Sequence, residues 1–334
     1  MILDGHLPAS LSAAAQALQR GELVALPTET VYGLGADADQ PAAVAKIFAA
    51  KSRPADHPLI VHVADPATVS HYAASLPPFA SALMQAFWPG PLTLIVPRKD
   101  GVAAAAAGGQ SSIGLRCPAH PVAQALLRAA KALGVHGVAA PSANQFGRVS
   151  PTTAAHVQSE FGPDLLILDG GACEVGIEST IIDCTRGVPV LLRPGAITRE
   201  QVQAVCGQPV RLPHEATDVP APRASGTLAS HYAPTAPVRL MDAATLQAAV
   251  AMLGKTSAPS TNNTIAVYAR TPLVSDSAVL RVRRMPDDAA SVAQELFAVL
   301  RDFDAQGVTL IWVETPPEGS DWDGVRDRLQ RAAA

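Results

Sequence analysis

Two cations and several short polar side chains in this sequence each follow an apolar run. Lys51 and Arg53 stand in one segment, and Ser142 and Asn144 stand in another segment much further along the chain. Lys and Arg side chains neutralise phosphate charge, and short polar side chains orient the rest of a ligand. This combination predicts an enzyme with a site for a phosphorylated ligand.

Two more arginines, Arg116 and Arg193, strengthen this prediction, because each follows an apolar strand candidate. Four cations then lie at the predicted ends of strands or helices, which indicates a convergent anion pocket. For a single arginine the alternative is a surface salt bridge. For Lys51 and Arg53 the alternative is a favourable interaction with the dipole at the end of a helix.

Histidines and one tyrosine are further candidates. His57 and His62 flank an apolar strand candidate close to Arg53. A lone histidine is more often a structural hydrogen-bonding residue than a base, so both interpretations stay open. His231 and Tyr232 could stack on a base or donate to phosphate, or they could simply pack against the first domain.

Hydroxyl side chains form the last group of candidates: Thr28, Thr30, Ser112, Ser142, Ser150, Ser179 and Thr180. None has an evident His–Asp partner, so the sequence predicts ligand orientation rather than a serine nucleophile. Helix capping is the alternative, and Ser150 before Pro151 could cap a helix that begins there. A P-loop, a complete dinucleotide fingerprint and a GxSxG motif are absent from the sequence.

Length and composition limit the class of protein. A chain of 334 residues with 48% hydrophobic residues predicts two domains. The net charge of −4 and pI near 6.1 disfavour extended nucleic-acid contact, although a local basic patch is allowed. The four cysteines form no CxxC pair, and no apolar run reaches membrane-spanning length. We therefore expect a soluble, cytoplasmic protein with reduced cysteines and no membrane contact.

The order of predicted elements indicates an α/β protein. Helices and strands mostly alternate in residues 1–207, with some antiparallel pairing later in this range. Residues 208–237 are rich in Pro, Ala, Ser and Thr and are predicted to form a linker or lid. Residues 238–334 are predicted to form a smaller α/β domain, in which we identify no catalytic constellation.

Three local predictions bear on the position of the site. Residues 28–35 are predicted to form a polar loop after a strand, where open α/β sheets bind ligands. Asp39 is predicted to cap the helix that ends near Lys51. The predicted elements of the second domain are strands at 264–269 and 308–313 and helices near 288–303 and 322–332.

The assembled motifs resemble the YrdC-type threonylcarbamoyl-AMP synthases in their two-domain form. They are PTETVYGLG (27–35), KSRP (51–54), HPLIVH (57–62), WPGPLTLI (88–95), IGLRCP (113–118), APSAN (140–144), SPT (150–152), GIESTIID (176–183), LRPG (192–195) and SHYAP (230–234). The resemblance covers the first domain in order, plus the linker. It implies a YrdC-like twisted mixed open sheet with flanking helices and a smaller Rossmann-like C-terminal domain.

The resemblance also implies an activity. Such a nucleotidyltransferase joins L-threonine, bicarbonate and ATP to give threonylcarbamoyl-AMP and pyrophosphate, with Mg²⁺ held mainly through the ATP phosphates. The product serves the N6-threonylcarbamoyladenosine modification of tRNA. The implied partners are the proteins that transfer the group to tRNA, with weak RNA contact possible.

Residue roles follow from the matching motifs. The resemblance implies contact with ATP for Lys51, Arg53, His57, Ser112, Ser142, Asn144, Ser150, Arg193 and Tyr232, with Lys51 and Arg53 catalytic. It implies contact with threonine for Thr30, His62, Arg116, the backbone of Ala140, and Ser179, and it implies no protein ligand to metal. Two departures stand out: His57 occupies a position that is commonly Asn, and the linker ASGTLASHYAP lacks the basic and proline positions of SPGMKYRHYAP.

Two other functions are weighed against the synthase. YrdC-like domains can present a concave basic surface, so a non-catalytic double-stranded RNA-binding module is the first alternative. A carbamoyl-transfer protein of hydrogenase maturation is the second, but such proteins carry CxxC zinc motifs that this sequence lacks. The acidic balance of the chain and its intact Lys51, Arg53, Ser142 and Asn144 favour the synthase.

Overall fold

The computed structural model describes residues 1–215, 221–227, 231–253, 264–273, 275 and 277–334. Contacts divide the chain into two compact units. The first unit comprises Met1–Phe146 and Ser150–Thr227, and the second comprises Gly147–Val149 and Leu228–Ala334. Within the predicted linker, residues 216–220 and 228–230 lie outside the described part of the chain.

The first unit is built on a mixed sheet. Its strands are β1 (Ile2–Asp4), β2 (Val24–Leu26), β3 (Gly33–Asp37), β4 (Ile60–His62), β5 (Leu92–Pro97), β6 (Ser112–Arg116), β7 (Val138–Ala139), β8 (Leu166–Asp169), β9 (Thr180–Asp183) and β10 (Val190–Arg193). They lie in the order β1-β8-β2-β3-β7-β4-β6-β5-β9-β10. Parallel pairs such as β4–β6 and β5–β9 alternate with antiparallel pairs such as β5–β6. The predicted mixed α/β sheet is confirmed.

Helices cover both faces of this sheet. They are α1 (Pro8–Gln19), α2 (Pro41–Lys51), α3 (Val69–Tyr72), α4 (Pro78–Phe87), α5 (Pro121–Ala132), α6 (Ala154–Phe161) and α7 (Arg199–Cys206). Successive side chains of a strand point to opposite faces. Val24 and Leu26 accordingly belong to the apolar cluster that contains α1 and α5 residues, whereas Ala25 belongs to the cluster that contains α2 and α4 residues.

Two predicted helix caps are wrong. The residue at the N-cap of α2 is Gln40, and Pro41 occupies the first turn. The Asp39 carboxylate instead accepts hydrogen bonds from the Tyr72 hydroxyl (3.0 Å) and the Ala103 N–H (3.2 Å). Ser150 caps no helix, because α6 begins at Ala154 and its N-cap is Thr153.

The predicted loop at 28–35 is also wrong in part, because its last residues begin β3. The strand was not predicted because it contains Gly33 and Gly35, and glycine has low strand propensity. A Cβ on Gly35 would lie 2.8 Å from Val138 Cγ1 and 3.0 Å from Leu26 Cδ2. Glycine is required there for close packing with the neighbouring strands.

The second unit holds a parallel sheet. Its strands are β11 (Val238–Met241), β12 (Ile265–Ala269), β13 (Leu280–Arg284) and β14 (Leu310–Glu314), in the order β11-β14-β12-β13. Its helices are α8 (Ala243–Leu253), α9 (Ala289–Ala305) and α10 (Asp323–Ala332). The predicted α/β character is confirmed, and β11, β13 and α8 are additions to the prediction. No helix in the described ranges has the length and apolarity to cross a membrane.

Candidate active site

A buried ion pair lies at the end of β6. Arg116 Nη2 is 2.7 Å from Glu29 Oε1, and both side chains are at least nine-tenths buried. Arg116 Nη1 donates to Thr30 Oγ1 (2.8 Å), and Nε donates to the Gly90 carbonyl (3.3 Å). The other Glu29 oxygen accepts from the Ala119 N–H at 3.0 Å. The guanidinium is therefore held in one orientation and its charge is balanced inside the protein.

The loop between β2 and β3 is ordered by the Thr28 hydroxyl. Thr28 Oγ1 donates to the Val31 carbonyl (2.6 Å) and accepts from the N–H groups of Thr30 and Val31, both at 3.2 Å. Its Oγ1 is also 2.9 Å from Thr30 Oγ1. Hydroxyl–backbone bonds of this kind define a local turn. The turn fixes the Thr30 hydroxyl beside Arg116.

His62 lies next to Arg116 because β4 and β6 are parallel and the two residues are paired in register. The imidazole is 3% exposed. Burial first, and then the charge of Arg116, lowers the pKa of His62 to about 3. Its Nδ1 has no hydrogen-bond partner among the residues that the structure describes. His62 is thus a neutral imidazole buried beside Arg116.

Arg193 and Ser179 form a second buried cluster, where β9 begins and β10 ends. Arg193 Nε and Nη2 donate to the Ser179 carbonyl at 3.0 and 2.8 Å, and Nη2 also lies 3.1 Å from Ser179 Oγ. Thr93 Oγ1 is 2.7 Å from the same Ser179 Oγ. The remaining terminal nitrogen, Nη1, donates to the Ser225 carbonyl at 3.0 Å. The sequence predicted Arg193 and Ser179 as ligand-binding residues but did not predict that they bind each other.

Lys51 joins its own segment to the segment that contains Ser142 and Asn144. This residue ends α2, is 1% exposed, and donates from Nζ to the carbonyls of Ser142 (2.6 Å) and Asn144. Burial first, and then repulsion from Arg53, lowers the pKa of Lys51 to about 7, while Glu160 acts in the opposite direction. The fold therefore places a readily deprotonated ammonium group at the junction of the two motifs.

Arg53 and His57 meet around one aromatic ring. The Arg53 guanidinium lies over the Phe146 ring, 5.6 Å from its centre, and Nη2 donates to the Pro58 carbonyl at 3.0 Å. The His57 ring meets Phe146 edge-on at 5.5 Å. Burial first, and then the charge of Arg53, lowers the pKa of His57. His57 is consequently neutral around pH 7.

Two acidic residues belong to this region and were not among the predicted site residues. Glu29 pairs with Arg116, and Glu178 accepts a hydrogen bond from the buried Ser150 hydroxyl. Both stand inside the motifs PTETVYGLG and GIESTIID. A signal was available: each is a single carboxylate in a run of apolar and hydroxyl residues, and a buried carboxylate requires a partner.

A pocket opens over one face of the sheet. Its floor comes from β4, β6, β5 and β9, through Ile60, Thr93, Ile95, Gly114 and Ile181. Ser112, at the start of β6, also lines the pocket. Ile60 and Ile95 are both register partners of Gly114, and the missing side chain at this central position deepens the floor.

Residues 223–225 form one wall of this pocket. Arg223 exchanges two hydrogen bonds with the Gln110 side chain, at 2.8 Å through its N–H and at 3.2 Å through its carbonyl. Its guanidinium is 2.6 Å from Asp56 Oδ2, but this pair is exposed. Exposed pairs contribute little, so Gln110 is the main anchor of the segment at this point.

Gln110→Ala is expected to loosen the 221–227 segment. Two neutral hydrogen bonds together stabilise by about 2 kcal/mol, so local opening should become on the order of tenfold more frequent or greater. Amide hydrogen exchange of 221–227 should accelerate by that factor, while exchange in β5 and β6 stays unchanged. Gln16→Ala, at an exposed position of α1, is a suitable control. Unchanged exchange at 221–227 would mean that other contacts hold the wall.

The predicted ATP residue Tyr232 belongs to the second unit. Its ring stacks on Phe297 at 5.5 Å, Arg328 lies 5.3 Å from its centre, and it is 1% exposed. Its φ of 62° is in the left-handed region. Residues 228–230 of the predicted lid lie outside the described part of the chain. The contact of Tyr232 with a nucleotide stays a prediction.

Comparisons with known proteins cover both units. A family described as "Telomere recombination", the Sua5, YciO and YrdC family, matches residues 16–195. A second, described as "Threonylcarbamoyl-AMP synthase, C-terminal domain", matches residues 197–334. The Bacillus subtilis threonylcarbamoyl-AMP synthase is 38% identical over 326 residues, which are 97% of this chain and 92% of that protein.

Two solved structures of Pyrococcus abyssi Sua5 are similar to the chain. The first, complexed with L-threonine, has a TM-score of 0.85 and 36% identity over 97% of this chain and 94% of that one. The second, a doubly alanine-substituted variant, has a TM-score of 0.87 and 34% identity over 100% and 96%. Because the matches extend through both units in order, the chain belongs to the threonylcarbamoyl-AMP synthases, in their two-domain Sua5 form.

Proposed function

We propose that the first unit binds L-threonine and ATP side by side and transfers the adenylyl group of ATP to N-carboxylated threonine. The observation that carries this proposal is the buried Arg116, oriented by Glu29 and Thr30 beside the neutral His62. A fixed planar fork of donors matches a carboxylate bidentately. The crystal structure of P. abyssi Sua5 with L-threonine supports an amino-acid site in this family.

The threonine side of the proposed site consists of Thr30, His62, Arg116, Ala140 and Ser179. Arg116 would bind the carboxylate, and Nδ1 of His62 would accept or donate one hydrogen bond. The Ala140 N–H donates to the Ile60 carbonyl at 3.0 Å, so its carbonyl oxygen is the backbone group proposed to face the ligand. The Ser179 hydroxyl, fixed by Thr93 and Arg193, completes the set.

The ATP side of the proposed site is cationic. The triphosphate carries a charge near −4, which Lys51, Arg53 and Arg193 would offset together with Mg²⁺. The other residues proposed to orient ATP are His57, Ser112, Ser142, Asn144, Ser150 and Tyr232. The described residues contain no group of three or more His, Cys, Asp or Glu side chains placed to hold a metal, and the nearby Glu29 and Glu178 are engaged by protein groups. Phosphate oxygens and water would therefore supply most of the magnesium ligands.

The proposed chemistry requires position and charge stabilisation more than an acid–base pair. The threonine amine adds to the carbon of bicarbonate, water leaves, and the resulting carbamate oxygen attacks the α-phosphorus while the bond to pyrophosphate breaks. Effective molarity and fixed cations supply most of the rate enhancement in such transfers. The carbamate and the mixed anhydride both react with water, so a covered pocket protects them.

The product of this synthase is threonylcarbamoyl-AMP, which serves the threonylcarbamoyl modification of adenosine in tRNA. Its mixed anhydride is an activated acyl donor, so the proposed partners are proteins that transfer the group to tRNA. Two earlier expectations stay predictions. They are the cytoplasmic location and the division into a catalytic domain (1–207), a linker or lid (208–237) and a C-terminal domain (238–334).

A pyrophosphate-release assay tests the proposed function. Release from ATP should require both L-threonine and bicarbonate, and Arg53→Ala should reduce it by about 100-fold or more, since one transition-state donor is worth roughly that factor. Arg20→Ala, a change of an exposed arginine paired with Glu22 in the same unit, should leave the rate unchanged. Release without threonine would contradict the proposal. Tight binding of double-stranded RNA with no turnover would favour the RNA-binding alternative.

A further inference from the structure

A short segment between two proposed ATP-binding residues belongs to the second unit. Asn144 and Ser150 are both assigned to the first unit, but Gly147–Val149 between them is assigned to the second. On one side the Phe146 N–H donates to the Lys51 carbonyl at 3.1 Å. On the other side the Pro151 carbonyl accepts from the Tyr32 N–H at 2.9 Å. The backbone that connects two parts of the nucleotide site is therefore organised in the second unit.

Several bonds hold this segment. The Ala233 N–H donates to the Gly147 carbonyl at 3.0 Å, and Arg148 forms a parallel β-bridge with Ala233. Arg301 donates from Nη2 to the Val149 carbonyl. Val149 is 3% exposed, so its carbonyl needs a donor inside the protein. A charged guanidinium is the strongest kind of donor available to it.

One face of α9 supports both this segment and the chain near residue 232. Phe297, Arg301 and Asp304 are spaced four and three residues apart, so they lie on one stripe of the helix. Phe297 stacks on Tyr232, while Asp304 accepts from the Thr235 N–H at 2.8 Å. Arg301 lies between them and reaches Val149. No sequence pattern singles out these positions, because an amphipathic helix presents such a stripe to any core.

We propose that Arg301 is a positioning residue for ATP binding, acting through the Val149 carbonyl on the backbone that carries Asn144 and Ser150. This inference rests on the proposed function, because it takes those two residues as part of the nucleotide site. It gives Arg301 a role in the reaction although Arg301 itself contacts no substrate. The residues proposed to bind L-threonine are held by hydrogen bonds within the first unit. We therefore expect the loss of Arg301 to weaken the binding of ATP and not that of L-threonine.

Calorimetry with a non-hydrolysable ATP analogue and with L-threonine tests this role. Arg301→Ala should weaken binding of the analogue by about tenfold, which corresponds to losing one charged hydrogen bond at the low end of its range. The Kd of L-threonine should stay unchanged. Arg301→Lys keeps the charge and one donor, so it should restore part of the affinity. Arg281→Ala is the matched control, because this exposed arginine donates, among the described residues, to the carbonyls of Ala278 and Leu280.

A second variant keeps the test valid if Arg301→Ala folds poorly. Gly147 has a φ of +83°, and a Cβ there would meet nothing within 4 Å. Gly147→Ala thus strains the same segment without altering α9, and its effect on the analogue should not add to that of Arg301→Ala. Equal weakening of both ligands, or a lower melting temperature with the analogue's Kd unchanged, would overturn the inference.

The same titrations separate this inference from the proposed function. The wild-type protein must bind the analogue, and Ser150→Ala must weaken that binding. If either fails, the proposed nucleotide site is wrong. If both hold while Arg301→Ala and Gly147→Ala bind the analogue like wild type, only the role of Arg301 is wrong.

Discussion

Replacing Arg116 by alanine will weaken L-threonine binding by about two to three orders of magnitude and will also destabilise the fold. The first effect follows because losing one partner of a buried charge pair costs about 2–5 kcal/mol of binding. The second follows because Glu29, 5% exposed, would be left buried without its cationic partner. Breaking a buried ion pair in this way lowers the free energy of unfolding by about 3–5 kcal/mol.

Two further variants separate charge from geometry. Arg116→Lys keeps the charge but loses the fork, so it should recover most of the stability and little of the threonine affinity. Glu29→Gln together with Arg116→Met removes both charges, and its stability should exceed that of Arg116→Ala. Calorimetric titration and urea unfolding measure the two quantities. A threonine Kd for Arg116→Ala within threefold of the wild-type value would remove Arg116 from the proposed site.

The ion pair of Arg116 and Glu29 was only half predictable from the sequence. The pattern located Arg116 at the end of a strand because an apolar run precedes it. It could not identify Glu29 as the partner, since the two come together only through the strand order β3-β7-β4-β6. Strand order depends on many weak long-range contacts that no local pattern contains. The adjacency of His62 and Arg116 also depends on strand order, so the sequence could not predict it either.

The sequence patterns missed two strands whose compositions are unusual for strands. The first three residues of the strand Gly33–Asp37 were predicted as loop, because glycine has low strand propensity and the two glycines there serve close packing with neighbouring strands. The edge strand Leu280–Arg284 was missed because three of its five residues are arginines. In contrast, α2, which has a proline in its first turn and an apolar face, was predicted well enough to place Lys51 at its end.

The family resemblance identifies candidate site residues, and the geometry shows how their side chains are held. The resemblance named residues for ATP and threonine, and those assignments stay a proposal for this chain. The geometry adds how the named side chains are held in the first unit: Arg193 by the Ser179 carbonyl, Lys51 by two carbonyls, and Ser150 by Glu178. Groups with fixed orientation lose little entropy when a ligand binds, so these contacts favour a preorganised site.

ATP binding to this protein will take up protons at pH values slightly above neutral. Lys51 has a pKa of about 7 in the free protein, so near pH 8 most molecules carry a neutral amine. A bound triphosphate raises that pKa, because nearby negative charge favours the ammonium form. Binding near pH 8 should therefore take up a fraction approaching about one proton, and ATP affinity should fall as pH rises from about 7 to 9.

Lys51 should influence stability over the same range with the opposite sign. Its pKa is lowered from 10.5 in the unfolded chain, so between pH 7 and 10.5 the unfolded state binds more protons than the folded state. The destabilisation due to Lys51 is complete below pH 7 and disappears as pH rises towards 10.5. As pH rises through this range, the free protein therefore becomes more stable while its affinity for ATP falls. A variant without the amine should lose both trends.

Calorimetry in two buffers of different ionisation enthalpy measures the proton uptake. At about pH 8 the phosphates of ATP are fully ionised, so uptake then reports on the protein. Lys51→Arg keeps a cation that stays charged throughout this range, and Lys51→Met keeps none. Both should bind ATP without buffer-dependent enthalpy, and Lys51→Met should also bind it more weakly. Proton uptake that persists in Lys51→Met would assign the titration to another group and leave Lys51 charged in the free site.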